Sequence, residues 1–140
     1  MSMDKLNLRI KYLKIRKSIE NKAFLSDIIA NNVLNSHIYS NSKNIGIYVG
    51  FDEEVSTKKL ILQCLANKKC ISVPVVEENK LSFYNITNLE DLCNKSPFGI
   101  QEPIPCKDNL THKNSLDLLI VPGICFDING NRIGYGKRIL

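Results

Sequence analysis

Residues 45–75 constrain the fold more than any other stretch. Ile45–Gly50 (IGIYVG) is a short apolar run ending on glycine, and it opens into the acidic loop Phe51-Asp52-Glu53-Glu54-Val55. Ser56 can cap a helix over Thr57–Ala66, whose apolar face is Leu60, Ile61, Cys64 and Leu65. A second apolar run, Cys70–Val75, follows, with Pro74 weakening its end or placing it at a sheet edge. Strand, loop, capped helix and strand make a βαβ unit, which predicts parallel pairing through a right-handed crossover. Ligands of such sheets bind beyond the carboxyl ends of the strands.

Another buried strand is predicted at Leu118-Leu119-Ile120-Val121, just after Asp117. Past it the chain turns glycine-rich and cationic: Gly123, Gly130, Gly134 and Gly136, with Arg132 and Lys137. Glycine lets backbone N–H groups approach an anion, and the cations balance its charge. The same stretch also reads as a solvated turn reversing at Asn129-Gly130; spacing does not separate the two. It is not a Walker A loop, because Gly130 and Gly136 enclose five residues and Arg138 follows Lys137; nor is G-x-G-x-x-G present. If the sheet forms, the Glu53-Glu54 loop and the Gly130–Lys137 loop both lie at its carboxyl end.

The rest is coarser. Residues 4–19 predict a helix with Leu8, Tyr12, Ile15 and Ile19 on an apolar stripe widened by Leu6, Ile10 and Leu13. Lys5 and Arg9, four apart, share one of its faces: a solvated basic face or a phosphate grip at a helix start. Residues 23–38 predict a second helix, apolar at Leu25, Ile28, Ile29, Val33 and Ile38. Leu81–Ile86 alternates as a strand, and Asn88–Cys93 suggests a short helix. Asn94–Ser115, with Pro97, Pro103 and Pro105, reads as a long irregular loop, in which Phe98 and Ile100 pack on the core or wall a pocket.

A chain of 140 residues implies one domain, able to bury roughly two-thirds of its unfolded surface. The net charge of +5 suits an anionic ligand, but lysines spread over solvated faces explain most of it. No aromatic-rich stacking motif or reader helix supports nucleic-acid binding. The five cysteines, odd in number and without C-x-x-C, fit free thiols in a reducing cytoplasm. His37 and His112 lie in no metal-ligand spacing, and no apolar run is long enough to span a bilayer.

Four segments together resemble the 5-formyltetrahydrofolate cyclo-ligase (methenyltetrahydrofolate synthetase) family. They are Lys5-x-x-Leu8-Arg9, Tyr48–Thr57 (YVGFDEEVST), Phe98–Pro103 (FGIQEP), and Val121-Pro122-Gly123 leading through Phe126-Asp127 to Gly130–Lys137 (GNRIGYGK). The resemblance implies a three-layer α/β/α fold around a mainly parallel sheet. It implies an enzyme that uses ATP and Mg²⁺ to close 5-formyltetrahydrofolate to 5,10-methenyltetrahydrofolate, releasing ADP and phosphate, as a cytoplasmic monomer without nucleic-acid or membrane partners. It assigns ATP to Lys5, Leu6, Asn7, Leu8, Arg9, Arg132, Ile133, Gly134, Tyr135, Gly136 and Lys137, the catalytic charge to Arg132 and Lys137, and the folate to Val49 and Glu54. After Gly-x-Gly-Lys the family continues Gly-Tyr-Tyr-Asp and then further helix and strand; here Arg138-Ile139-Leu140 follows. The expectation is therefore one cyclo-ligase-like domain over residues 1–140 lacking its C-terminal elements and the Asp for Mg²⁺. The alternative is a non-catalytic remnant that at most binds nucleotide or folate.

Overall fold

The computed structural model describes residues 2–51, 53–94 and 101–135. The βαβ unit forms as expected: β1 (Asn44–Ile47), α4 (Lys58–Ala66) and β2 (Cys70–Glu77), with β1 and β2 parallel from Asn44↔Cys70 to Gly46↔Ser72. On its other edge β1 pairs in parallel with β7 (Leu118–Ile120), from Ile45↔Leu118 to Ile47↔Ile120. The starts of these strands are pinned by Asp117, whose Oδ2 accepts from the N–H groups of Lys43 and Asn44, both at 2.9 Å.

β2 turns directly into β3 (Lys80–Ile86) through Glu78-Asn79, both in the left-handed conformation that a two-residue hairpin needs. β3 also pairs antiparallel with β6 (Leu110–Thr111), giving the sheet order β6-β3-β2-β1-β7. Since β6 opposes β3 and β3 opposes β2, four of these strands run one way and β3 is reversed, so the sheet is mostly parallel. Pro74 sits inside β2 opposite Phe83. It is tolerated because β1 pairs with β2 only as far as Ser72, so its missing N–H deprives no neighbour.

Ile45, Ile47, Ile71 and Val73 point to one face and are fully buried. They pack against Leu60, Ile61 and Cys64 of α4, Ala30 of α2 (Lys22–Leu34) and Tyr39 of α3 (His37–Ser40). The helices that contribute to this cluster therefore lie on one face of the sheet. The opposite face carries Gly46 beside Leu119, Leu116 and Phe83, and Ser72 hydrogen-bonded to Thr111 at 2.6 Å.

Three expectations change. β7 is partly rather than fully buried, with Leu119 44% exposed, because it lies at the edge of the sheet. Asn88–Cys93 is only a 3₁₀ turn, Leu89–Asp91, running into β4 (Leu92–Asn94). Residues 94–115 are not structureless: β5 (Gln101–Pro103) pairs with β4, and β6 and two 3₁₀ turns follow. Phe98 and Ile100 lie outside the described residues.

The helices keep their positions but not their expected inner faces. In α1 (Ser2–Ser18) the half-buried residues are Arg9, Tyr12 and Arg16, while Leu6, Leu8, Ile10, Leu13 and Ile15 are exposed. In α2 the buried positions are Ser26 and Ala30, while Leu25, Ile28 and Ile29 are exposed, as is Ile38 just beyond. Small residues let α2 approach α4 closely, and hydrogen bonds from Arg9 and Arg16 select the inward side of α1. No described helix is long and apolar enough to cross a membrane.

Candidate active site

Beyond the carboxyl ends of β1 and β7, three segments meet: the acidic loop after β1, the glycine-rich hairpin after β7, and α1. The acidic loop folds back on itself. The Thr57 hydroxyl donates to Tyr48 O at 2.8 Å and accepts from Gly50 N–H at 3.2 Å, while the Tyr48 hydroxyl donates to Val55 O at 3.0 Å. Thr57, not Ser56, is the N-cap residue, but its hydroxyl is committed to the loop and makes no cap bond. The loop is tied to α2 by Ser56 N–H donating to Ser26 Oγ at 3.0 Å and by the Lys22–Glu53 ion pair. Lys22 holds the Glu53 carboxyl below the usual carboxylate range.

The glycine-rich segment forms a hairpin of β8 (Cys125–Phe126) and β9 (Arg132–Ile133). Asp127 organises its tip: Oδ1 accepts from the N–H groups of Asn129 and Asn131, and Oδ2 from Asn131 Nδ2 at 2.7 Å. These bonds depress its pKa. Gly130 takes φ +85° at the reversal, so the tight-turn reading of Asn129-Gly130 describes the tip. The cationic part comes afterwards, at Arg132–Tyr135.

Two arginines on one face of α1 hold this part of the hairpin. Arg9 Nε donates to Gly134 O at 2.8 Å. Arg16 Nη2 donates to the Tyr135 hydroxyl at 2.6 Å, and that hydroxyl lies 3.2 Å from Glu54 Oε2. Because an arginine can only donate, the hydroxyl accepts from Arg16 and donates to Glu54. The other Glu54 oxygen accepts from Phe51 N–H at 3.1 Å. Arg16, Tyr135 and Glu54 thus form one polar chain whose two bonds join residues 119 and 81 positions apart in sequence. Burial, with Glu54 and Tyr135 nearby, pushes the Tyr48 pKa up to about 12.

The expected site residues distribute as follows. Arg9, Gly134, Tyr135 and Glu54 come together. Lys5, Leu6, Asn7 and Leu8 occupy exposed positions of the first turns of α1, with Lys5 one turn before Arg9. Ile133 lies in β9, and Arg132 donates from Nη1 to Pro122 O at 2.6 Å, curled along its own hairpin. Val49 is half-buried against the core cluster. Gly136 and Lys137 lie outside the described residues. Arg16 and Tyr48 are additions. Arg16 was findable, since positions 5, 9, 12 and 16 share one helix face.

Among the described residues no group of three or more His, Cys, Asp or Glu could hold a metal ion. Asp127, the acidic side chain of the hairpin, already accepts three hydrogen bonds. The described residues thus build no all-protein cage for Mg²⁺; a Mg²⁺ held by nucleotide phosphates would need only one or two carboxylates.

The protein is thus an α/β domain with arginines and a carboxylate gathered at the carboxyl end of its sheet, the side on which such sheets generally take ligands. The 5-formyltetrahydrofolate cyclo-ligase family profile matches residues 1–138, and the chain belongs to that family. A 5-formyltetrahydrofolate cyclo-ligase of Haemophilus influenzae is 38% identical over 97 residues, 68% of this chain and 52% of its own length. The Mus musculus relative of the same name is 29% identical over 126 residues, 86% of this chain and 62% of its own length. The chain thus spans about half to three-fifths of the length of these relatives. The NMR structure of Aquifex aeolicus 5,10-methenyltetrahydrofolate synthetase superposes with a TM-score of 0.82 at 29% identity, covering 96% of this chain and 69% of that one.

Proposed function

We propose that this polypeptide carries the nucleotide- and folate-binding part of an ATP-dependent 5-formyltetrahydrofolate cyclo-ligase. The observation that supports it best is the meeting of the three segments expected to share a site, through the Arg9–Gly134 and Tyr135–Glu54 contacts. The formyl oxygen of the substrate is amide-like and a poor leaving group. Transfer of the γ-phosphoryl group of ATP onto it makes it leave as phosphate once N10 has attacked the formyl carbon, giving the methenyl bridge.

Such transfer depends on positioning and charge neutralisation more than on covalent participation. Arg9, with its Nε committed to Gly134, presents its terminal nitrogens to the phosphates. Lys5 adds charge one turn away, and the backbone of Arg132–Lys137, with Arg132 and Lys137 as the catalytic cations, closes around the triphosphate. Glu54 receives the pterin N–H groups while Val49 walls the ring, since a carboxylate accepts two parallel donors well. No step is routed through Mg²⁺. The reading includes a cytoplasmic monomer acting on free folate.

Mixing the protein with 5-formyltetrahydrofolate, ATP and Mg²⁺ should generate the methenyl chromophore together with ADP. Absence of product at high protein concentration rejects turnover by this polypeptide. Calorimetric binding of nucleotide or folate without product would select a binding form instead.

A further inference from the structure

We propose that Arg16 is a positioning residue that acts through the Tyr135 hydroxyl on Glu54, making a latch by which the nucleotide loop and the folate carboxylate are set together. The inference deepens the reading above and takes its two ligands from it; the latch itself is visible without them.

The geometry is specific. The Tyr135 hydroxyl has one proton, and Arg16 cannot accept it. With Arg16 donating at 2.6 Å, the proton is directed to Glu54 Oε2 at 3.2 Å. The arginine also lies 5.8 Å from the centre of the Tyr135 ring, so it fixes the ring as well as the hydroxyl. Its Nε is buried and makes no hydrogen bond. Leaving such a donor unsatisfied is costly, so packing alone does not explain an arginine here; the Nη2 contact is what the side chain is placed to make. Glu54 is also held by Phe51 N–H on its other oxygen, so that backbone contact remains when the Tyr135 bond is removed. Tyr135 follows Gly134, whose carbonyl is held by Arg9. A shift of Tyr135 toward or away from Glu54 therefore moves the segment proposed to hold phosphates.

Two binding sites that share one hydrogen-bonded chain are energetically coupled, and the coupling is reciprocal. Nucleotide closing the loop around Tyr135 steers the proton onto Glu54 and orients the carboxylate for the pterin; folate on Glu54 stiffens Tyr135 for the nucleotide.

The test uses Arg16→Gln, Arg16→Lys, Tyr135→Phe and the Arg16→Gln/Tyr135→Phe pair. In the ligand-free protein, hydrogen exchange is followed in peptides spanning residues 48–57 and 127–135. Arg16→Gln and Tyr135→Phe should each speed exchange severalfold in both peptides. The double variant should be no faster than either single one, and Arg16→Lys should recover part of the protection. Additive effects, or a change confined to one peptide, overturn the latch whether or not ligands bind. In the second arm, ATP affinity is measured with and without 5-formyltetrahydrofolate. Wild type should show coupling of about fivefold or more, and Tyr135→Phe should abolish it. Coupling that survives in Tyr135→Phe also overturns the proposal. A wild type that binds neither ligand refutes the functional reading, and the exchange arm then decides the latch alone.

Discussion

Gly50 shows how little room the acidic loop has. A Cβ there would stand 2.5 Å from Val55 O and 3.3 Å from Ser56 Cα, both backbone atoms that cannot swing aside. Gly50→Ala should cost about 1–3 kcal/mol, the usual range for overpacking, read as a lower midpoint in urea, and it should displace Glu54. Tyr48, in the same loop, should titrate near pH 12 in an ultraviolet titration. Its raised pKa means that the folded chain keeps a proton the unfolded chain gives up. Its contribution to stability is present below about pH 10 and lost as the pH climbs toward 12. Tyr48→Phe should remove that part of the alkaline dependence.

At the scale of elements, α1 and the β8–β9 hairpin depend on each other. Arg9→Met keeps much of the aliphatic stem and removes the donors to Gly134 O and to phosphate. It should weaken ATP binding by about 1.5–3 kcal/mol, in the range of a hydrogen bond to a charged group, measured by calorimetry. Folate affinity in the absence of nucleotide should change far less. The βαβ unit was legible because Ile45–Gly50 and Cys70–Val75 are short apolar runs on either side of an amphipathic helix. The inward face of α1 was not. Leu6, Leu8, Ile10, Leu13 and Ile15 occupy so much of its circumference that an apolar stripe selects no single side, and the deciding contacts come from residues more than a hundred positions away. The Pro122 O partner of Arg132 was illegible for a similar reason: a cation near glycines points to an anion and gives no hint of that carbonyl.

For the whole molecule, a small, well-packed sheet core coexists with helices that show apolar side chains to water. Ile10 is 58% exposed and Phe24 64%, whereas Ile71 is fully buried. Ile10→Gln combined with Phe24→Gln should leave stability nearly unchanged while reducing binding of a hydrophobic dye. Ile71→Ala, by contrast, should cost about 2–5 kcal/mol, checked by thermal melts of both variants. The edge position of β7 was illegible because three apolar residues look alike at the centre and the margin of a sheet; pairing with β1 on one side, and Leu119 at 44% exposure, are tertiary facts.

The manner in which α1 is fastened has a consequence in solution. Guanidinium groups on carbonyl and hydroxyl oxygens, rather than interlocked leucines, hold it down, so a solute that competes for hydrogen bonds acts on the helix before it acts on the sheet. In urea, which solvates peptide groups, the N-terminal segment should lift away while the strands stay paired. Denaturant thus reaches the seat of the β8–β9 hairpin before it reaches the strands.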